Sequence, residues 1–248
     1  MTLQLRFERR GAGTTLVDRV VEAPFALGRV FDLGDGVATV FVQSVAGMIR
    51  GGERWSVHVD AGDGCMVRLV HVAALPVHAG VCGSAARVDV ALNAGHDAVV
   101  EMMGAPFVLF DQAGLVTNTA ARVASGGAVV IVDSVAHHAS HSSVEQTVSA
   151  TVDAGHCIER SAYDWPLHSP ALVRDGRHTT LWWFERHDSV EVPSGASSLP
   201  ARCGWIGRAT GALSLTTIRS VTDDLRVATG RARQPQRLDA IVGSVPRS

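Results

Sequence analysis

The sequence predicts a mainly-β fold, with short strands stacked into a β-helical or sandwich body and one short helix near the C-terminus. Three observations lead there. Apolar runs rich in β-branched residues recur at roughly eight- to twelve-residue intervals, the rhythm of all-β sandwiches and stacked-strand folds. Turn signals separate them: Gly34-Asp35-Gly36, Gly62-Asp63-Gly64, Asn93-Ala94-Gly95, Ser125-Gly126-Gly127 and Asp175-Gly176. Helix signals are scarce, and the 25 glycines fit a turn-rich chain.

Taken in order, Trp55-Ser56-Val57-His58-Val59-Asp60 alternates with period two, as a strand with one wet face does, and His58 falls on the polar side. Val67 to Ala74 and Val129 to Val132 are apolar without alternation, which predicts strands covered on both faces. Ser142-Ser143-Val144-Glu145 matches a helix capping box, but the β-branched alternation from Thr147 to Val152 favours strand. Trp182 and Trp183 are adjacent, so on a strand they face opposite sides. One enters the core; the other meets solvent or a partner, or is covered as well. The helix begins at Thr222, which caps Asp223 and Asp224 in a first turn where the dipole favours acids. Gly230 and Pro235 bound it. No linker and no clean internal repeat divides the chain, so one body is expected over 1–238, with a loose tail over 239–248.

Composition narrows the function classes. Of 248 residues, 46% are apolar, ample for a core, and the formal charge is −2. That balance gives no electrostatic case for nucleic acid or an anionic membrane. All 22 basic residues are arginine, which removes Schiff-base lysine chemistry and the lysine of a phosphate loop. The start, Met1-Thr2-Leu3-Gln4-Leu5-Arg6, has no long apolar core, and no run approaches the ~20 residues of a membrane span. Cys65, Cys82, Cys157 and Cys203 are widely spaced without a Cys-x-x-Cys pair. A cytoplasmic chain with four reduced thiols is the expectation.

Two constellations carry chemistry. The first is His137-His138-Ala139-Ser140-His141, since neutral imidazoles ligate nickel or zinc. Strand alternation sends His137 and His138 to opposite faces, whereas His138 and His141 could converge across a turn or a helical step. A transient metal relay needs only two or three ligands; a polar loop after a strand is the plain alternative. The second is His71, Glu101 and Asp133, each set in an apolar run. A lone buried carboxylate costs several kcal/mol, so Glu101 either pairs with an arginine or lines a cavity. Brought together, the three would make an acid–base set. Otherwise His71 is a satisfied core histidine and Asp133 a partner in a strand-end turn.

The order of segments then resembles one family. Ala46-Gly47-Met48-Ile49-Arg50-Gly51-Gly52-Glu53 precedes Gly64-Cys65-Met66-Val67-Arg68-Leu69-Val70-His71-Val72-Ala73-Ala74. Val100-Glu101-Met102-Met103-Gly104-Ala105-Pro106 with Phe110 follows, then Gly127 to Asp133, and finally Ile218-Arg219 with Asp223-Asp224-Leu225-Arg226. Over residues 3 to 235 this order is similar to that of the UreD (UreH) urease accessory proteins. The resemblance implies a mostly-β body with a short helical C-terminus. It also implies a cytosolic assembly with UreF- and UreG-like partners that binds apo-urease and helps deliver nickel. In that reading the chain is a scaffold, not an enzyme, and a homodimer is compatible with it.

Several polar signature positions of that family are replaced. Its Thr-Thr-Gln appears as Val70, His71 and Val72; its Thr-Lys…Tyr as Leu75, Pro76 and His78; its Gly-Arg as His137-His138. The acidic end of its glycine loop is Gly52, or Glu53 one residue late. These replacements define a second reading, a repurposed enzyme of specialised metabolism. There His71, Glu101 and Asp133 would perform hydrolysis, dehydration or cyclisation on a small molecule.

Overall fold

A computed structural model describes residues 1–32, 36–138, 141–153, 155–165, 177–186 and 196–210. The predicted helix from Thr222 and the tail over 239–248 lie outside those residues, as does the Asp175-Gly176 turn.

The described chain is mainly strand, and its middle winds as a coil. After β1 (Thr2–Arg10), β2 (Gly13–Val21) and β3 (Phe25–Asp32), the first turn of the coil is β4 (Ala38–Ser44), β5 (Ile49–Arg50) and β6 (Arg54–Ala61). The second is β7 (Met66–His71), β8 (Leu75–His78) and β9 (Ala86–Ala94). The third is β10 (Val99–Met103), β11 (Phe107–Leu109) and β12 (Ala113–Val123), and a fourth begins with β13 (Ala128–His137) and β14 (Ser142–Val152). Antiparallel strands finish the described body: β15 (Gly155–Trp165), β16 (Arg177–Phe184), β17 (Ala196–Ser198) and β18 (Gly204–Thr210).

Successive coils pair in parallel. One sheet runs β15-β14-β12-β9-β6-β1-β2; the other runs β17-β18-β16-β13-β10-β7-β4-β3, with β5, β8 and β11 as a short branch beside β13. The repeat missed in the sequence is therefore structural: Ala38, Val67, Val100 and Val129 are register partners one coil apart. Their side chains need only be apolar and inward, so no fixed motif recurs.

The turns stack as well. Gly64 N–H donates to the His96 carbonyl at 2.7 Å, and Ala124 N–H to the Ala94 carbonyl at 2.9 Å. At Gly126, φ is +69°, a left-handed backbone that favours glycine, and Asp97 Oδ1 occupies the space a Cβ would take.

Period-two alternation then sorts each strand's residues between two environments. Leu3, Leu5, Phe7, Val59 and Leu92 from the first sheet meet Val67, Leu69, Val100, Ile131 and Trp182 from the second, forming the core between them. Each such side chain contributes about 1.5–3 kcal/mol of burial. The far face of the second sheet carries one rung of opposite partners: Thr39, Arg68, Glu101, Val130, Trp183 and Trp205. Val130, Trp183 and Trp205 form a second buried cluster, with the two indoles stacked at 5.9 Å and 11°. Trp183 Nε1–H donates to Glu185 Oε2 at 3.0 Å. Trp182 and Trp183 thus do face opposite sides, but both are covered. Val129 to Val132 are buried throughout, as predicted, whereas the strand of Val67 ends at His71 and Val72 is exposed.

Arg68 Nε donates to Glu101 Oε2 at 2.7 Å within this far-face rung, and Glu101 is 1% exposed. Arg68→Ala removes this ion-pair partner from a buried carboxylate and is expected to cost about 3–5 kcal/mol in urea unfolding. The paired change Arg68→Met with Glu101→Leu is expected to be near neutral. Equal losses in both variants would refute the pairing as the reason for the burial.

Candidate functional site

A cavity of about 50 Å³ lies between the sheets, at the point where polar side chains interrupt the core. His71 at the end of β7 and Asp133 on β13 reach it from the second sheet; Trp55, Thr117 and Thr119 reach it from the first. Two of the three acid–base candidates therefore share one space.

His71 is half-buried. Its Nδ1 lies 3.0 Å from the Ala73 carbonyl oxygen, which can only accept. That contact assigns the proton to Nδ1 and leaves the Nε2 lone pair available in the neutral ring. Burial lowers the His71 pKa, the Ala73 contact opposes the shift, and the neutral ring is favoured.

Asp133 follows Ile131 on the inward side of β13. Gln146 Nε2–H, on β14, donates to Asp133 Oδ2 at 2.8 Å across the interlayer gap. Burial pushes the Asp133 carboxyl up to about 6, and the Gln146 bond only partly offsets it. A Cβ at Gly104 would approach Asp133 Oδ1 to 3.0 Å, so the small residue there makes room for the carboxyl. Trp55 Nε1 and Thr117 Oγ1 are buried without a hydrogen-bond partner among the described residues.

Glu101 is elsewhere. It registers with Val130, one position off the inward set that includes Ile131 and Asp133, so it projects from the opposite face to Arg68. Met102 takes the inward place beside the cavity. His71, Glu101 and Asp133 do not converge.

The histidine cluster is also dispersed. His137 is half-buried, with Nδ1 2.6 Å from Ser142 Oγ, and burial lowers its pKa. His138 is exposed, with its ring edge-on to Phe110 at 5.1 Å, while His78 stacks against Phe110 at 4.6 Å. His141 is exposed, and its carbonyl accepts from Gln112 N–H at 2.6 Å. Among the described residues no group of three His, Cys, Asp or Glu side chains could hold a metal ion.

Sequence reasoning missed Gln146, Thr117 and Thr119. The signal was present. Gln146 sits between the inward Val144 and Val148, and the two threonines follow Leu115 at period two. A polar residue in an inward slot marks a cavity or a buried network. Size then decides what the cavity admits. About 50 Å³ accommodates a few waters, far below the ~300–1,000 Å³ of small-molecule sites. A larger, shallow depression along Thr14–Arg19 opposite Val30 contains none of the candidate residues.

Comparison with known sequences places this body among relatives. Residues 2–186 match the family model for the UreD urease accessory protein, a range that runs from β1 past the end of β16 and includes the cavity. Urease accessory protein UreD 1 of Pseudomonas syringae is 32% identical over 146 residues, which are 57% of this chain and 51% of that protein. The chain therefore spans about half the length of that relative. The UreD of Natronomonas pharaonis is 26% identical, covering 89% of this chain and 82% of its own length. That of Haloarcula marismortui is 25% identical, covering 91% and 85%.

The Asp133 carboxyl has a testable consequence. Its ordinary value is 3.8. Between about pH 4 and 6 the native chain holds a proton that the unfolded chain has released, so stability falls as pH rises through that window. The full cost, at most about 3 kcal/mol, is present above it. Asp133→Asn retains an oxygen for Gln146 and cannot ionise. Thermal unfolding should show the variant more stable than the parent above about pH 6 and equal to it near pH 4. A difference independent of pH would show that the carboxyl is not enclosed.

Proposed function

The chain belongs to the UreD family of urease accessory proteins, and on that premise we propose that it is a non-enzymatic scaffold in urease maturation. It acts in the cytoplasm with UreF- and UreG-type partners on apo-urease, and its cargo is nickel. The observation that carries the reading is the family match across the coil of strands, which includes the inward polar residues at the cavity. Within that scaffold, His137, His138 and His141 offer imidazoles that are not gathered into one site. Such ligands suit brief contact with a passing ion rather than retention, because a closed site needs about four converging ligands. No helix of the described residues is long and apolar enough to cross a membrane.

The acid–base enzyme reading loses support on two counts. Its Glu101 is committed to Arg68 on the opposite face, and the space between His71 and Asp133 is too small for a metabolite.

The test is co-expression of the cognate urease and its accessory proteins with and without this chain. Affinity capture on the chain is expected to recover the UreF-type partner. Urease made without the chain is expected to hold far less nickel by metal analysis. Fully nickel-loaded urease in its absence, or capture of none of these partners, would contradict the proposal.

A further inference from the structure

We propose that Cys157 and Cys203 are the two halves of a reversible intramolecular disulfide that ties the last described strand of one sheet to the end of the other. Cys157 lies on β15, on the inward row with Ala150, Ala121 and Leu92. Cys203 follows the short helical turn Pro200–Arg202 and directly precedes β18 in the second sheet. That turn packs against β15. Both cysteines are free and buried, 5% and 1% exposed, within the same core cluster, and Cys203 is near enough to Cys157 to raise its pKa. Neighbouring thiols on elements that pack together are the pair a disulfide can join.

The other two cysteines are differently placed. Cys65 is buried beside Thr14, and Cys82 is exposed on the Val81–Gly83 turn.

A small disulfide of the glutathione class is the oxidant. One protein thiolate attacks a sulfur of that disulfide, forms a mixed disulfide and releases one small thiol. The second protein thiolate attacks the protein-side sulfur and releases the other. The protein loses two S–H hydrogens and gains one S–S bond; the two electrons and two protons end on the small thiols. Burial first, then the neighbouring Cys203 sulfur, pushes the Cys157 thiol up to about 11, so thiolate is scarce at neutral pH and the reaction is slow there. The product would lock the two sheets together at this end of the body.

The test uses the full chain carrying Cys82→Ser, incubated with oxidised glutathione, quenched in acid and mapped by non-reducing peptide mass spectrometry. Expected are the loss of two hydrogens, a peptide joining Cys157 to Cys203, reversal by dithiothreitol, and faster formation at alkaline than at neutral pH. Recovery of Cys157 and Cys203 as separate thiols or separate glutathione adducts after prolonged alkaline exposure would overturn the proposal. A link from either one to Cys65 would overturn it too.

Discussion

The parallel, in-register stacking of the coils is the constraint on which the rest depends. Each strand pairs position for position with the strand one coil away, so facing is inherited along a rung. Ala38, Val67, Val100 and Val129 all point between the sheets; Thr39, Arg68, Glu101 and Val130 all point away. A slip of one residue anywhere would move a full set of valines out of the core. The glycine turns guard against this, because their stacked hydrogen bonds align one coil's turn over the next.

This constraint also makes the polar residues informative. The far-face rung satisfies its charges internally: Arg68 faces Glu101, and Trp183 donates to Glu185. The interlayer space is less well matched. Burial raises the Asp133 carboxyl to about 6 against one amide donor, and it shares the cavity with His71 and an orphan threonine hydroxyl. A chain selected for packing alone would fill those slots with valine, as it does at Val88 and Val90 on the neighbouring strand. Retaining a desolvated carboxyl there costs stability, and groups with displaced pKa values cluster at functional positions.

Much of the fold was legible in the sequence, because apolar runs and glycine turns report strand positions directly. The pairing was not. Parallel partners lie a full coil apart, and nothing local says that Glu101 registers with Val130 rather than Ile131. Its neighbours Val100 and Met102 are both apolar, so alternation alone could not separate Glu101 from the set of His71 and Asp133. The histidine run misled for the opposite reason. Proximity in sequence suggested convergence, while the strand sent His137 inward toward Ser142 and His138 outward against Phe110. The His78–Phe110–His138 row became visible only once three strands of the coil were laid side by side.

The arrangement joins a stacked body of the UreD family to an interlayer cavity too small for a metabolite, with a carboxyl of raised pKa inside it. The most direct measurement is the titration of Asp133 in the folded chain by carboxyl-carbon NMR with aspartate labelling. The enclosed, in-register placement predicts a midpoint at about 6. A midpoint at the ordinary 3.8 would contradict the enclosure of the Asp133 carboxyl between the sheets.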